Sequence, residues 1–123
     1  MAVPIFKQGS VLIASIQAAL SDNDLVQLRD ELAERIGKLR SRGVVIDLSA
    51  LDVLDSFATR TIRGIAYTAK LRGADTVVVG IQPEVAFAMV QLGLTFDDIA
   101  TALDLEEGLA VLRSRNGARV YGD

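Results

Sequence analysis

The chain has 123 residues, half of them hydrophobic and 24% charged, with a net charge of −3, two prolines, no cysteine and no histidine. That length suits one domain with a core large enough to need neither disulfides nor a structural metal. The missing residue types remove thiolate metal sites and the side chain most used as a general base near neutral pH, and the interspersed charges leave no polybasic surface for nucleic acid.

In chain order, apolar patches alternate between strand and helix periods. Ile5-Phe6 and Val11 to Ile16, divided by Gly9 and Ser10, predict a hairpin. Ser21 to Asp24 supplies helix-starting side chains, and Leu25, Leu28, Leu32, Ile36 and Leu39 follow at spacings of three and four. Gly43 is expected to stop that helix. Val44-Val45-Ile46 is a short β-branched run typical of a strand covered on both faces. Asp47 to Asp55 reads as a loop into a second helix from about Ser56 to Leu71, with a buried stripe of Ala58, Ile62, Ile65 and Ala69. Gly73 ends it, and Thr76 to Val79 gives another buried strand. Pro83 sits where a helix favours its first residue, opening a third helix that buries Val85, Met89 and Leu92 before Gly93. The segment around Phe96 to Ala100 predicts a short edge strand. Asp104 to Glu107 resembles a capping box ahead of Leu105, Leu109 and Leu112 in a fourth helix.

This alternation predicts an α/β fold with a mixed, mostly parallel sheet of four to five strands and about four helices. Residues 1–116 form the single expected domain, and 117–123 a flexible tail. No apolar run approaches the roughly 18 to 20 residues that span a bilayer, and Met1 to Gln8 lacks signal-peptide order, so a cytoplasmic location without membrane contact is expected.

Chemistry concentrates between Val44 and Arg63, where a strand ends at Asp47 and Asp55-Ser56 opens a helix. Backbone N–H groups in a first helical turn lack intrahelical partners, and the helix dipole favours negative charge there, so a phosphate on Ser56 would meet them. Helical spacing puts Thr59 and Arg60 one turn on, with Arg63, Tyr67 and Lys70 continuing down the face opposite the apolar stripe. Spacing alone favours plainer roles: Asp55 or Ser56 as a simple N-cap, and the basic face as ordinary solvated surface. An enzyme is not expected, because Ser56 beside Asp55 has no histidine or evident lysine base. Gly73, Gly80 and Gly93 make no phosphate-binding loop, and Asp97-Asp98 and Glu106-Glu107 read as helix-terminus charges; neither cofactor nor metal is expected.

The run Val44 to Ser49, a short loop, then Asp55-Ser56-Phe57 at a helix start resembles the phosphorylation segment of the STAS-domain family. Phe57 after the acceptor is similar to the RsbS branch of the stressosome antagonists, as are Ser15-Ile16-Gln17, Gly80-Ile81-Gln82-Pro83 and Ala102 to Leu109. The resemblance implies a non-enzymatic scaffold and switch that assembles with itself and with RsbR-type STAS paralogues. It further implies that the assembly holds an RsbT-like serine/threonine kinase and releases it once Ser56 is phosphorylated. Asp47 and Asp55 match acidic positions near the acceptor, and with Phe57, Arg60 and Arg63 they are the expected kinase-docking surroundings. RsbR-type members carry threonine at the acceptor and an added sensor domain, so the bare scaffold is implied here. A stand-alone anti-sigma factor antagonist and a small-ligand or nucleotide-binding STAS module are the alternatives. Shell contacts are not legible, since exposed apolar residues such as Phe6 and Val3 carry no mark of their own.

Overall fold

The computed structural model describes the backbone of residues 3–121 and the side chains of residues 3–115. Along them the elements run β1 (Ile5–Gln8), β2 (Val11–Ser15), α1 (Asp22–Leu39), β3 (Gly43–Asp47), α2 (Ser56–Leu71), β4 (Asp75–Val79), α3 (Pro83–Gln91), β5 (Ala100–Ala102) and α4 (Leu105–Tyr121). The hairpin forms as its turn residues dictate. Gln8 pairs with Val11 across a two-residue turn whose first residue, Gly9, has φ 60°, the conformation that suits the twist of an antiparallel pair.

The sheet runs in sequence order from β1 to β5, with β1 antiparallel to β2 and every later neighbour parallel. Alternation along the central strands feeds two cores. Leu12, Ala14, Val44, Ile46 and Val78 face the layer that contains Leu28, Leu32, Ile62, Ile65, Val85 and Met89 of α1, α2 and α3. Ile13, Val45, Val77 and Val79 face α4 through Leu112. β3 and β4 are therefore covered on both faces, which is why they read as continuous apolar runs. Two glycines let α4 lie close: a Cβ on Gly108 would sit 2.6 Å from Val79 Cγ1, and one on Gly43 would sit 2.9 Å from Leu112 Cδ1.

Several expectations change here. α1 is stopped by Arg40 in the left-handed region (φ 51°, ψ 43°) rather than by Gly43, which opens β3 and serves the approach of Leu112. Thr59, expected on the solvent face, is fully buried and joins the apolar stripe of α2, with Ala58 half-buried against the same core. Its hydroxyl donates to the Asp55 carbonyl at 3.0 Å, which removes the usual cost of burying it. Leu92 caps α3 and is exposed, because the helix ends one residue before it. The edge strand lies at Ala100–Ala102, after Phe96 and Ile99 have packed under the first core in a turn closed by Ile99 N–H to Phe96 O at 3.1 Å. Val3 is buried, whereas Phe6 is exposed. α4 extends to Tyr121; the tail expected at 117–123 concerns side chains, and for 122 and 123 backbone as well, that lie outside the described residues.

Candidate functional site

The segment from Asp47 to Ser56 is held at both ends and in the middle. Where β3 ends, the Asp47 carboxylate accepts the Ser49 N–H at 2.9 Å, an Asx turn that reverses the chain. Leu48 N–H donates to Val79 O at 2.9 Å, and the Gln82 side-chain amide donates to Ser49 O at the same distance, so the loop is fastened to the exit of β4 and the entry of α3. Gly80 makes that contact possible: at φ 76° it adopts a left-handed backbone, and a Cβ there would come within 2.8 Å of Ser49 Cβ. Leu51 and Leu54 then bury their side chains in the main core, leaving Asp52, Val53 and Asp55 outward.

Asp55 is the N-cap of α2. Its backbone is extended (φ −84°, ψ 175°), and its carboxylate accepts the Ala58 N–H at 2.7 Å. Ser56 is consequently the first helical residue and is not needed as a cap. Its side chain is exposed, and among the described residues its hydroxyl has no hydrogen-bond partner. The N–H groups of Ser56 and Phe57 are among those that no helical carbonyl can reach. The start of α2 thus offers a free hydroxyl, two free donors and the positive end of a helix dipole at one point.

The other expected site residues divide around it. Phe57 is half-buried, with its carbonyl accepting the Thr61 hydroxyl at 2.9 Å. Arg60 is exposed one turn along, about 6 Å by helical rise, and is placed to move toward Ser56. Arg63 lies about 10 Å along, half-buried, and its guanidinium donates to Thr95 O at 3.1 Å, so it ties α2 to the α3–β5 connection. Asp47 is separated from Ser56 by the whole loop and spends its carboxylate on the turn. Ser49, Gly80 and Gln82 hold the loop through contacts between residues about thirty apart, which the runs Val44 to Ser49 and Gly80 to Pro83 do not mark in the sequence. A small apolar cleft also flanks the site, with Ile16, Leu20, Leu51, Val53 and Ala58 in its wall and Asp55 at its rim.

Among the described residues no group of three or more His, Cys, Asp or Glu side chains could hold a metal ion, and no helix is long and apolar enough to cross a membrane.

Comparison with known proteins gives the family of the fold. The STAS domain family model matches residues 3–108. The solved structure of Moorella thermoacetica RsbS is 38% identical, with a TM-score of 0.78 over 95% of this chain and 97% of that one. A structure described as the molecular architecture of the stressosome, a signal integration and transduction hub, contains a chain 35% identical, with a TM-score of 0.75 over 92% and 98% of the two chains. The RsbT co-antagonist protein RsbRA of Bacillus subtilis is 24% identical over 107 residues, 87% of this chain but only 38% of that relative's length.

Proposed function

The chain belongs to the STAS domain family, and from that premise we propose that it is a non-enzymatic switch and scaffold whose Ser56 is the phosphate acceptor. It is related to RsbS and to stressosome components. In this reading it assembles with further STAS domains, including RsbR-type paralogues, and the assembly holds an RsbT-like serine/threonine kinase until Ser56 is modified.

One observation carries the reading: the Asp55 carboxylate does the capping, so the Ser56 hydroxyl at the head of α2 is exposed and unengaged. A kinase needs an acceptor oxygen that it can reach without unfolding the helix, and this one qualifies. Phosphorylation adds about 1.5 to 2 negative charges there. The free N–H groups of the first turn, the helix dipole and Arg60 attract that charge, while Asp52 and Asp55 repel it. Each effect is of order 1 kcal/mol at an exposed position, so the fold survives and the change is felt by whatever docks on the surface. Asp55, Phe57 and Arg60 form that surface around the acceptor, whereas Asp47 and Arg63 shape it from further away by fixing the loop and the helix.

Intact-mass spectrometry after incubation with an RsbT-like kinase and ATP tests the acceptor, with Ser56→Ala alongside. The expected result is one phosphate on the wild type and none on the variant. An equal phosphate on both would remove Ser56 from its role. Ser56→Asp should retain the helical signal of the wild type and bind the kinase at least tenfold more weakly, whereas Ser56→Ala should bind it as tightly as the wild type does.

A further inference from the structure

Positive and negative charge are unevenly shared along the chain. Between Gly73 and Leu112 there are seven carboxylates and no lysine or arginine, which leaves the rest of the chain at a net +4 against the overall −3. Six of the seven are exposed, and they flank α3 and β5 in sequence. α3 itself is apolar on every side from Val85 to Val90, yet its buried residues are Val85 and Met89, and Phe87 and Val90 are 70% and 76% exposed. A helix of that composition is ordinarily covered all round. Between α3 and β5 runs a groove whose lining includes Met89, Val90, Leu94, Phe96 and Leu103, the last 77% exposed. Its charged lining residues are Asp97 and Glu107, both acidic.

We infer that this groove docks a basic amphipathic helix carried by another protein. Charge selects the sign of the occupant: an acidic rim around an apolar groove attracts lysine and arginine beside an apolar stripe, and repels an acidic segment or an anionic lipid surface. The edge of the sheet selects a helix over an added strand. Ala102 O accepts the Gly80 N–H, so the alternation of a parallel ladder turns Ala100 and Ala102 toward β4 and Thr101 outward. On either side of Thr101 the N–H groups are taken, that of Ile99 by Phe96 O at 3.1 Å and that of Leu103 by a Glu107 carboxylate oxygen at 3.2 Å. So short an edge does not hold a strand, whereas a helix needs only the apolar groove and its rim. α3 is nine residues long, about 13 Å, so the contact spans about two to three turns of the partner. The occupant is another protein because neither long helix whose side chains are fully described offers such a face. In α1 the three cations pair with carboxylates, Arg29 with Asp30, Arg35 with Glu31 and Lys38 with Glu34. The groove beside α2 has Asp97 and Asp98 in its wall together with Arg63 and Lys70. The inference does not depend on Ser56.

The probe is a synthetic helix of about 18 residues with leucine at i, i+3, i+4 and i+7 and lysine elsewhere, titrated onto the full chain by fluorescence anisotropy beside the same peptide with glutamate for lysine. The lysine peptide is expected to bind saturably at one site per chain, and the glutamate peptide at least tenfold more weakly. Val90→Ser, Leu103→Ser and Asp97→Lys should each weaken the lysine peptide at least fivefold, while Leu71→Ser, at a comparably exposed apolar position on α2, should leave it unchanged. Carbodiimide coupling of the lysine peptide to the wild type, mapped by mass spectrometry, should fall mainly on Asp97 and Glu107, and it decides the matter if a variant fails a circular-dichroism check of folding. No saturation, equal binding of the two peptides, groove variants that bind like the wild type, or coupling spread evenly over the 16 Asp and Glu side chains would overturn the inference. So would a groove filled by copies of this chain, seen as sedimenting assemblies that Leu103→Ser disperses, or by lipid, seen as pelleting with phosphatidylcholine vesicles that Leu103→Ser abolishes.

Discussion

Asp55 and Ser56 are adjacent in sequence and have different tasks because only one of them points back into the first turn of α2. The Asp55 carboxylate accepts the Ala58 N–H, and its carbonyl accepts both the N–H and the hydroxyl of Thr59. Asp55→Ala is therefore expected to lower stability by about 1 kcal/mol, read as a shift in the denaturant midpoint, while Asp55→Asn recovers most of the loss. Gly80 matters for a different reason. Its positive φ and its 2.8 Å approach to Ser49 leave no room for a Cβ, so Gly80→Ala should cost about 1 to 3 kcal/mol. The same variant should also loosen the loop before Ser56, seen as faster amide exchange at Ser49, whose close contact with Gly80 sets the loop position.

At the scale of elements, α2 shows what its sequence pattern could and could not reveal. Its bounds, Ser56 to Leu71, follow from a capping residue before them and Gly73 after them, and the structure has the same bounds. Its inward face is one residue wider than the apolar pattern shows, since Thr59 is buried beside the half-buried Ala58. A hydroxyl that can bond the carbonyl four residues back hides its polarity, and no apolarity scale registers that. Gly64 sits in the exposed part of this helix with open space at its missing Cβ. Gly64→Ala should accordingly stabilise the isolated chain by about 0.5 to 1 kcal/mol in denaturant unfolding; a destabilised variant would mean that the position is constrained within the monomer. β5 was anticipated a few residues early because Phe96 and Ile99 look like strand residues. They are apolar because they pack under α3, while the strand is three small residues with little signal of their own.

For the whole molecule, the two faces of the sheet bear unequal weight. The α1–α2–α3 side holds the larger core, and the α4 side closes on a small cluster in which, among the described residues, Leu112 is the fully buried hydrophobic side chain of α4. Leu112→Ala should cost about 2 to 5 kcal/mol, and the loss should appear in thermal unfolding as one cooperative transition at lower temperature; an unchanged midpoint would mean that α4 is dispensable to the core. Taken alone, the sequence determined the alternation of strands and helices, the bounds of α2 and the position of Ser56 at its start, because these depend on periodicity and caps that act within a few residues. It also carried the family resemblance that the comparisons then bore out. Only the tertiary structure decided that Gly43 and Gly108 exist for the approach of α4 and that Gln82 and Gly80 secure the loop before Ser56. It likewise decided that Arg63 bonds Thr95 while Arg60 has no such partner among the described residues, since such contacts join residues far apart in the chain, and local pattern holds no record of which distant atom fills the space beside a side chain.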